Sequence, residues 1–181
     1  MKRLVRLLIA PTLALITSLC PLTGHSATSL DDLQPCPDAL ATDGQAEPQQ
    51  KWELTLSPYT YHWRYNPDHR PVFLGGLDRE LRGGGFCGLA LFRNSFGQPS
   101  AYAYVGHRWD NLFGNPKLFS KVSAGFIYGY KGEYKDKIPF NQYGLAPAII
   151  PSVGYKFTPT DSAQIMVLGT AGVLFAYGHA F

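Results

Sequence analysis

The chain has 181 residues, enough for one domain once a targeting segment is set aside. Its 16 Lys and Arg against 13 Asp and Glu leave a net charge of +3, too small and too scattered for a nucleic-acid surface. Charged residues make up only 16% of the chain, while Tyr and Phe each number 11 and Gly 19, a mixture poor in helix formers and rich in strand and turn residues.

Residues 1–27 read as a secretory signal peptide. Lys2, Arg3 and Arg6 supply a basic start, residues 7–19 an apolar core, and cleavage is expected after Ser26 or Ala27. Lipidation at Cys20 is disfavoured by the bulky Leu19 before it. Beyond residue 27 there is no run of about 18 apolar residues, which excludes a helical membrane anchor. Residues 28–50 are polar, acidic and proline-containing, and read as a poorly ordered periplasmic lead-in. Cys36 and Cys87 remain after the leader; in an oxidising compartment they either pair or stay as two buried or free thiols. No Cys/His spacing suits zinc and no Gly-rich loop suits phosphate, so no metal and no cofactor are expected.

From Lys51 onward, strand-like segments alternate with turn residues at about 52–65, 71–78, 85–95, 101–110, 119–131, 144–157, 162–169 and 172–181. Eight is the smallest even count among transmembrane barrels, so the expected fold is an all-β, eight-stranded antiparallel transmembrane β-barrel over 51–181 with a narrow lumen. In the sixth strand Leu145, Pro147, Ile149, Pro151, Val153, Tyr155 and Phe157 share one parity, while the other holds Ala146, Ala148, Ile150, Ser152, Gly154 and Lys156. The eighth repeats the pattern with Val173, Phe175, Tyr177, His179 and Phe181 opposite Leu174, Ala176, Gly178 and Ala180. Large residues outward and small ones inward suit a thin barrel wall. A soluble sandwich would not turn such aromatics toward water.

With both termini in the periplasm, the first and third strands end at the cell surface, the first near His62 ("YTYHWRY") and the third at "FRNSF". His62, Asn94 and Ser95 should therefore meet at one rim. An imidazole, a hydroxyl and an amide brought together suit acyl transfer, as base, nucleophile or proton relay, and carbonyl-polarising group; the alternative is a set of rim residues wetted by headgroups. Pro147 and Pro151 interrupt the sixth strand, and each removes a ladder N–H that a barrel in hydrocarbon should keep. They mark a weak seam through which a lipid chain could enter sideways. Pro58, four residues before His62, hints at a second seam unless it sits at a bulge.

These pieces resemble the PagP family of outer-membrane lipid A palmitoyltransferases. "PYTYHW" resembles the family's first-strand segment, "FRNSF" its Phe-Lys-Asp-Ser-Trp motif, "LAPAIIPSVGY" its proline-rich sixth strand and "VLFAYGHAF" its closing strand, over about residues 58–181. The resemblance implies a monomeric enzyme of the Gram-negative outer membrane, delivered by the barrel-assembly machinery. It would move a palmitoyl chain from a phospholipid donor to lipid A. His62 and Ser95 match the catalytic His and Ser, and Gly106 the glycine whose missing side chain measures acyl length. Asn94 stands where the family has Asp, so a carboxylate–His relay is replaced by an amide that could orient His62 or hold an oxyanion. The lead-in does not read as the family's amphipathic clamp, and the seventh strand lacks the family's proline. The rival readings are a non-enzymatic small barrel, a lipid A deacylase barrel and a soluble lipid-binding barrel.

Overall fold

The computed structural model describes residues 35–41 and 51–181. The expected leader and most of the expected lead-in lie outside the described residues. Eight strands follow one another: β1 (Lys51–His62), β2 (Leu74–Glu80), β3 (Gly85–Arg93), β4 (Pro99–Asp110), β5 (Leu118–Tyr128), β6 (Leu145–Lys156), β7 (Asp161–Val167) and β8 (Gly172–Ala180). Each pairs antiparallel with the next, and β8 returns to β1 to close a barrel. All eight expected strands are present. β1, β2 and β5 stop short of their expected outer ends, because residues 63–73 and 129–144 form loops there.

Side chains alternate across the wall as the parity of β6 and β8 requires. Leu145, Ile149, Val153, Tyr155, Phe175 and Tyr177 are exposed outside, with Ile149 70% exposed, while Ala146, Ile150, Ser152, Leu174 and Ala176 are buried inside. The lumen has two layers. Toward the end that carries the termini it holds Glu53, Asp78, Glu80, Arg108, Lys121 and Gln164; toward the far end it holds Ala90, Tyr102 and Ile150, packed against Leu74, Phe92, Ile127, Met166 and Leu168.

The charged layer is stable inside a barrel only because its members answer one another. Lys121 Nζ lies 2.8 Å from Glu53 Oε1, 3.3 Å from Glu80 Oε1 and 3.5 Å from Asp78 Oδ2. Arg108 reaches Glu80 at 2.7 Å and Glu53 at 3.2 Å, the Gln164 amide donates to Glu53 at 2.7 Å, and the Tyr104 hydroxyl donates to Asp78.

Three departures from regular pairing matter for the site. Register along β1–β8 shifts between Leu56 and Tyr59, so Ser57 and Pro58 together stand opposite Ala176 in a β-bulge. Pro58 is thus at a bulge, where a residue without an N–H leaves no donor orphaned. The extra residue also reverses the parity of the strand. Glu53, Thr55 and Ser57 face the lumen; without the bulge His62 would face outward with Leu54 and Leu56, and with it His62 faces in.

Next, β1 pairs with β2 only as far as Ser57–Leu74, which leaves the far end of β1 joined to β8 alone. Likewise β6 pairs with β7 only from Ser152 to Lys156, although its pairing with β5 runs to Leu145. In β6, Lys156 N–H donates to the Lys117 carbonyl across β5, so even-numbered residues turn their backbone groups to β5 and odd-numbered ones to β7. The missing N–H groups of Pro147 and Pro151 therefore fall on the unpaired edge. A barrel wall is open between strands at two places in its far half.

Cys36 and Cys87 form a disulfide, with Cα atoms 5.4 Å apart. Cys87 belongs to the outward parity of β3, so residues 35–41, including a 3-10 turn at Asp38–Leu40, lie against the outside of the wall near the end that carries the termini. This stretch of the lead-in is tethered to the barrel, contrary to the expectation of a loose segment. Composition alone could not show the tether, because the pairing cysteine lies 51 residues away.

Candidate active site

The bulge in β1 and the turn after β3 bring the first site pair together. His62 closes β1 facing inward, and Ser95 follows Asn94 in the turn between β3 and β4. His62 Nε2 and Ser95 Oγ are 2.7 Å apart, within hydrogen-bond distance, and the hydroxyl donates in the imidazole tautomer that carries its proton on Nδ1. The turn is closed by Gly97 N–H donating to the Asn94 carbonyl at 2.8 Å and Asn94 N–H to the Gln98 carbonyl at 2.9 Å. A second loop braces it: Arg70 N–H donates to the Ser95 carbonyl at 2.7 Å.

The pair stands at the mouth of a lumen cavity of about 310 Å³, within the usual size range of small-molecule sites. Val72, Leu74, Phe92, Ile127, Met166 and Leu174 give it apolar walls, and Tyr130 and Lys137 join His62 and Ser95 at its rim. Both wall openings lie beside it: Thr60 and His62 border one, and Pro147 and Ile149 border the other.

No protein-family model and no curated protein matches the chain. A solved structure described as "De novo design of transmembrane beta-barrels" superposes with a TM-score of 0.54 at 15% identity, covering 76% of this chain and all of that one. The outward apolar belt and the closed eight-strand topology agree with it. The chain folds as a closed, eight-stranded antiparallel β-barrel with an apolar outer face. At that identity the likeness extends to the fold alone.

Within the barrel, two expected roles change. Asn94 is 1% exposed, and no hydrogen bond joins it to His62. Its Oδ1 accepts from the backbone N–H groups of Phe96 and Gln98, each at 3.0 Å, and its amide reaches Gln98 Oε1 at 3.5 Å. Its Oδ1 thus holds the turn that presents Ser95 and does not orient His62, while the side chain lines the cavity beside the pair. Asn in such turns commonly bonds its own backbone two residues on.

Gly106 is the second correction. It faces inward opposite Phe86 of β3, but a Cβ there would run into the Phe86 ring and the Val122 carbonyl. Phe86, not Gly106, lines the cavity. The missing side chain makes room for an aromatic ring, and that ring forms the floor. The same device recurs one step along, where the Tyr104 ring lies across Gly88 and its hydroxyl reaches Asp78. The floor of the cavity is therefore two rings laid over two glycines, together with Asp78, Lys121 and Gln164 of the charged layer.

Reading the sequence missed His69. It lies in the loop between β1 and β2, and its ring centroid is 4.0 Å from that of His62 at an interplanar angle of 33°. The only signal was the turn chemistry of "NPDH", which does not say what the ring will touch. The charged lumen layer was missed as well, because its members come from five strands and no segment shows more than one or two of them.

Proposed function

We propose that this barrel is an acyltransferase of the Gram-negative outer membrane that moves a palmitoyl chain from a phospholipid to lipid A, with the His62–Ser95 pair facing the cell surface. The observation that carries the reading is the 2.7 Å contact between His62 Nε2 and Ser95 Oγ at the mouth of an apolar lumen cavity. A lone polar pair at a rim could be headgroup-wetted decoration. A His–Ser hydrogen bond over a slot lined by Leu, Ile, Met and Phe is suited to hold an ester at its carbonyl with the acyl chain below.

The two wall openings support a lateral route, because a lipid chain leaving the outer leaflet can enter between strands without crossing the headgroup layer. Pro147 and Pro151 keep the β6 edge free of ladder donors. The motif resemblance over 58–181 supplies the donor and acceptor.

In one route His62 Nε2 takes the Ser95 proton as Oγ adds to the donor carbonyl. The C–O bond to the glycerol breaks, lysophospholipid leaves with that proton, and the lipid A hydroxyl then displaces Ser95. In the other His62 takes the proton of the lipid A hydroxyl, which adds directly to the carbonyl while Ser95 donates to its oxygen. Each ends with one ester made and one broken.

His62→Ala and Ser95→Ala are expected to leave a folded, heat-modifiable barrel that adds no palmitate, a loss of at least two to three orders of magnitude in rate. Mass spectrometry of lipid A from cells with and without the protein decides. A gain of one acyl chain that both variants abolish supports the reading, an unchanged lipid A leaves a non-enzymatic barrel, and a lost chain assigns a deacylase.

A further inference from the structure

A His–Ser pair needs its imidazole held in one plane and one tautomer, and in many such sites a carboxylate on Nδ1 does this. Here no hydrogen bond among the described residues joins a carboxylate to His62, and the neighbouring Asn94 side chain is committed to its turn. What lies against the imidazole is another imidazole. His69 stacks on His62 with centroids 4.0 Å apart, and its other side meets the Phe96 ring at 5.5 Å and 66°. Phe96 in turn stacks on Tyr134 at 4.4 Å and 14°. Four rings from three loops and one strand end thus form a continuous pile leading to Ser95.

The loop that carries His69 is itself fixed. Asn66 Oδ1 accepts from Asp68 N–H and the Asn66 carbonyl from His69 N–H, each at 3.0 Å, and Pro67 presets the turn between them. One residue on, Arg70 N–H bonds the carbonyl of Ser95 itself. The same short segment therefore touches both members of the pair, Ser95 through its backbone and His62 through a ring. His62 lies at the last residue of a strand whose outer part is paired on one side only, so its two side-chain torsions are held by the Ser95 hydrogen bond at the ring edge and by the His69 ring at its face.

We propose that His69 is a positioning residue, whose ring fixes the plane of the His62 imidazole so that Nε2 is presented to Ser95 Oγ. The proposal rests on the acyl-transfer reading of that pair for its kinetic arm only. It assigns His69 no proton transfer: the face of the ring is what acts, so an aromatic ring without nitrogen should serve.

In purified wild-type barrel in detergent micelles, imidazole 15N spectra should show His62 as a single tautomer with an unprotonated, hydrogen-bonded Nε2, and ring-to-ring cross-peaks to His69. His69→Ala should scramble that tautomer and lower kcat by about three- to tenfold with KM for the phospholipid donor little changed. His69→Phe should restore both the spectrum and kcat to within about twofold. A His69→Ala barrel with wild-type kcat would overturn the proposal, and so would His69→Phe losing as much as His69→Ala. Should either variant fail to fold, the wild-type spectra still decide, since a His62 ring with no contact to His69 overturns it. A wild-type barrel that transfers no acyl chain would sink the acyl-transfer reading, leaving the spectra to judge the stack.

Discussion

Ser95 is presented by hydrogen bonds that its neighbour makes, and this gives Asn94 a separable test. Asn94→Ala would remove the acceptor of two backbone N–H groups in a buried turn, at a cost of about 1–3 kcal/mol. Asn94→Asp keeps an accepting oxygen for both N–H groups at the cost of burying a charge, and should be less damaging than Asn94→Ala. Urea unfolding in detergent measures both, and acyl transfer should follow the same order. If aspartate proved as damaging as alanine, the turn-holding role would be wrong. His62 and Ser95 could be read from the sequence because the ends of the first and third strands place them at one rim. Asn94 and Gly106 were given the wrong work for a physical reason: a motif gives a position, while a role depends on what the side chain touches. Asn94 touches its own turn and Gly106 lies under Phe86. His69 was out of reach, since its contact is made by the path of a loop and not by any period in the chain.

At the level of elements, the strands were legible because alternation is a local property of a wall with lipid on one face and a lumen on the other. Their pairing was less so. Proline in β6 pointed to a weak edge, and the β6–β7 ladder ends at Ser152. The bulge at Pro58 left only an ambiguous proline in the sequence, yet it is what turns His62 inward. Replacing Pro147 and Pro151 together by Ala returns two N–H groups to the edge facing β7. Of these only the N–H at 151 meets a β7 residue in register, Val167, and one net hydrogen bond worth about 1 kcal/mol would lower the population of the open seam about fivefold. The expected result is a similar fall in kcat/KM for phospholipid, with a new protected amide at 151 in hydrogen exchange. Full activity together with a protected amide would show that lipid does not use this opening.

Across the whole molecule, two features tie distant parts together, and neither follows from local pattern. The Cys36–Cys87 disulfide closes a 51-residue separation, and in the loop-entropy account removing it costs about 4 kcal/mol. Cys36→Ser with Cys87→Ser should still give a closed barrel, but with a lower urea midpoint and a steeper transition slope, since the freed chain exposes more surface on unfolding; an unmoved midpoint would make the tether a passenger. The other feature is the charged layer across the lumen. Lys121 and Arg108 sit among Glu53, Asp78 and Glu80, so a cation entering from either side would have to displace an ammonium from three carboxyl groups, and an anion would have to strip Arg108 from its partners. The bore is therefore electrically shut by its own ion pairs, so an opening in the wall above them can exist without making the lumen a channel for ions.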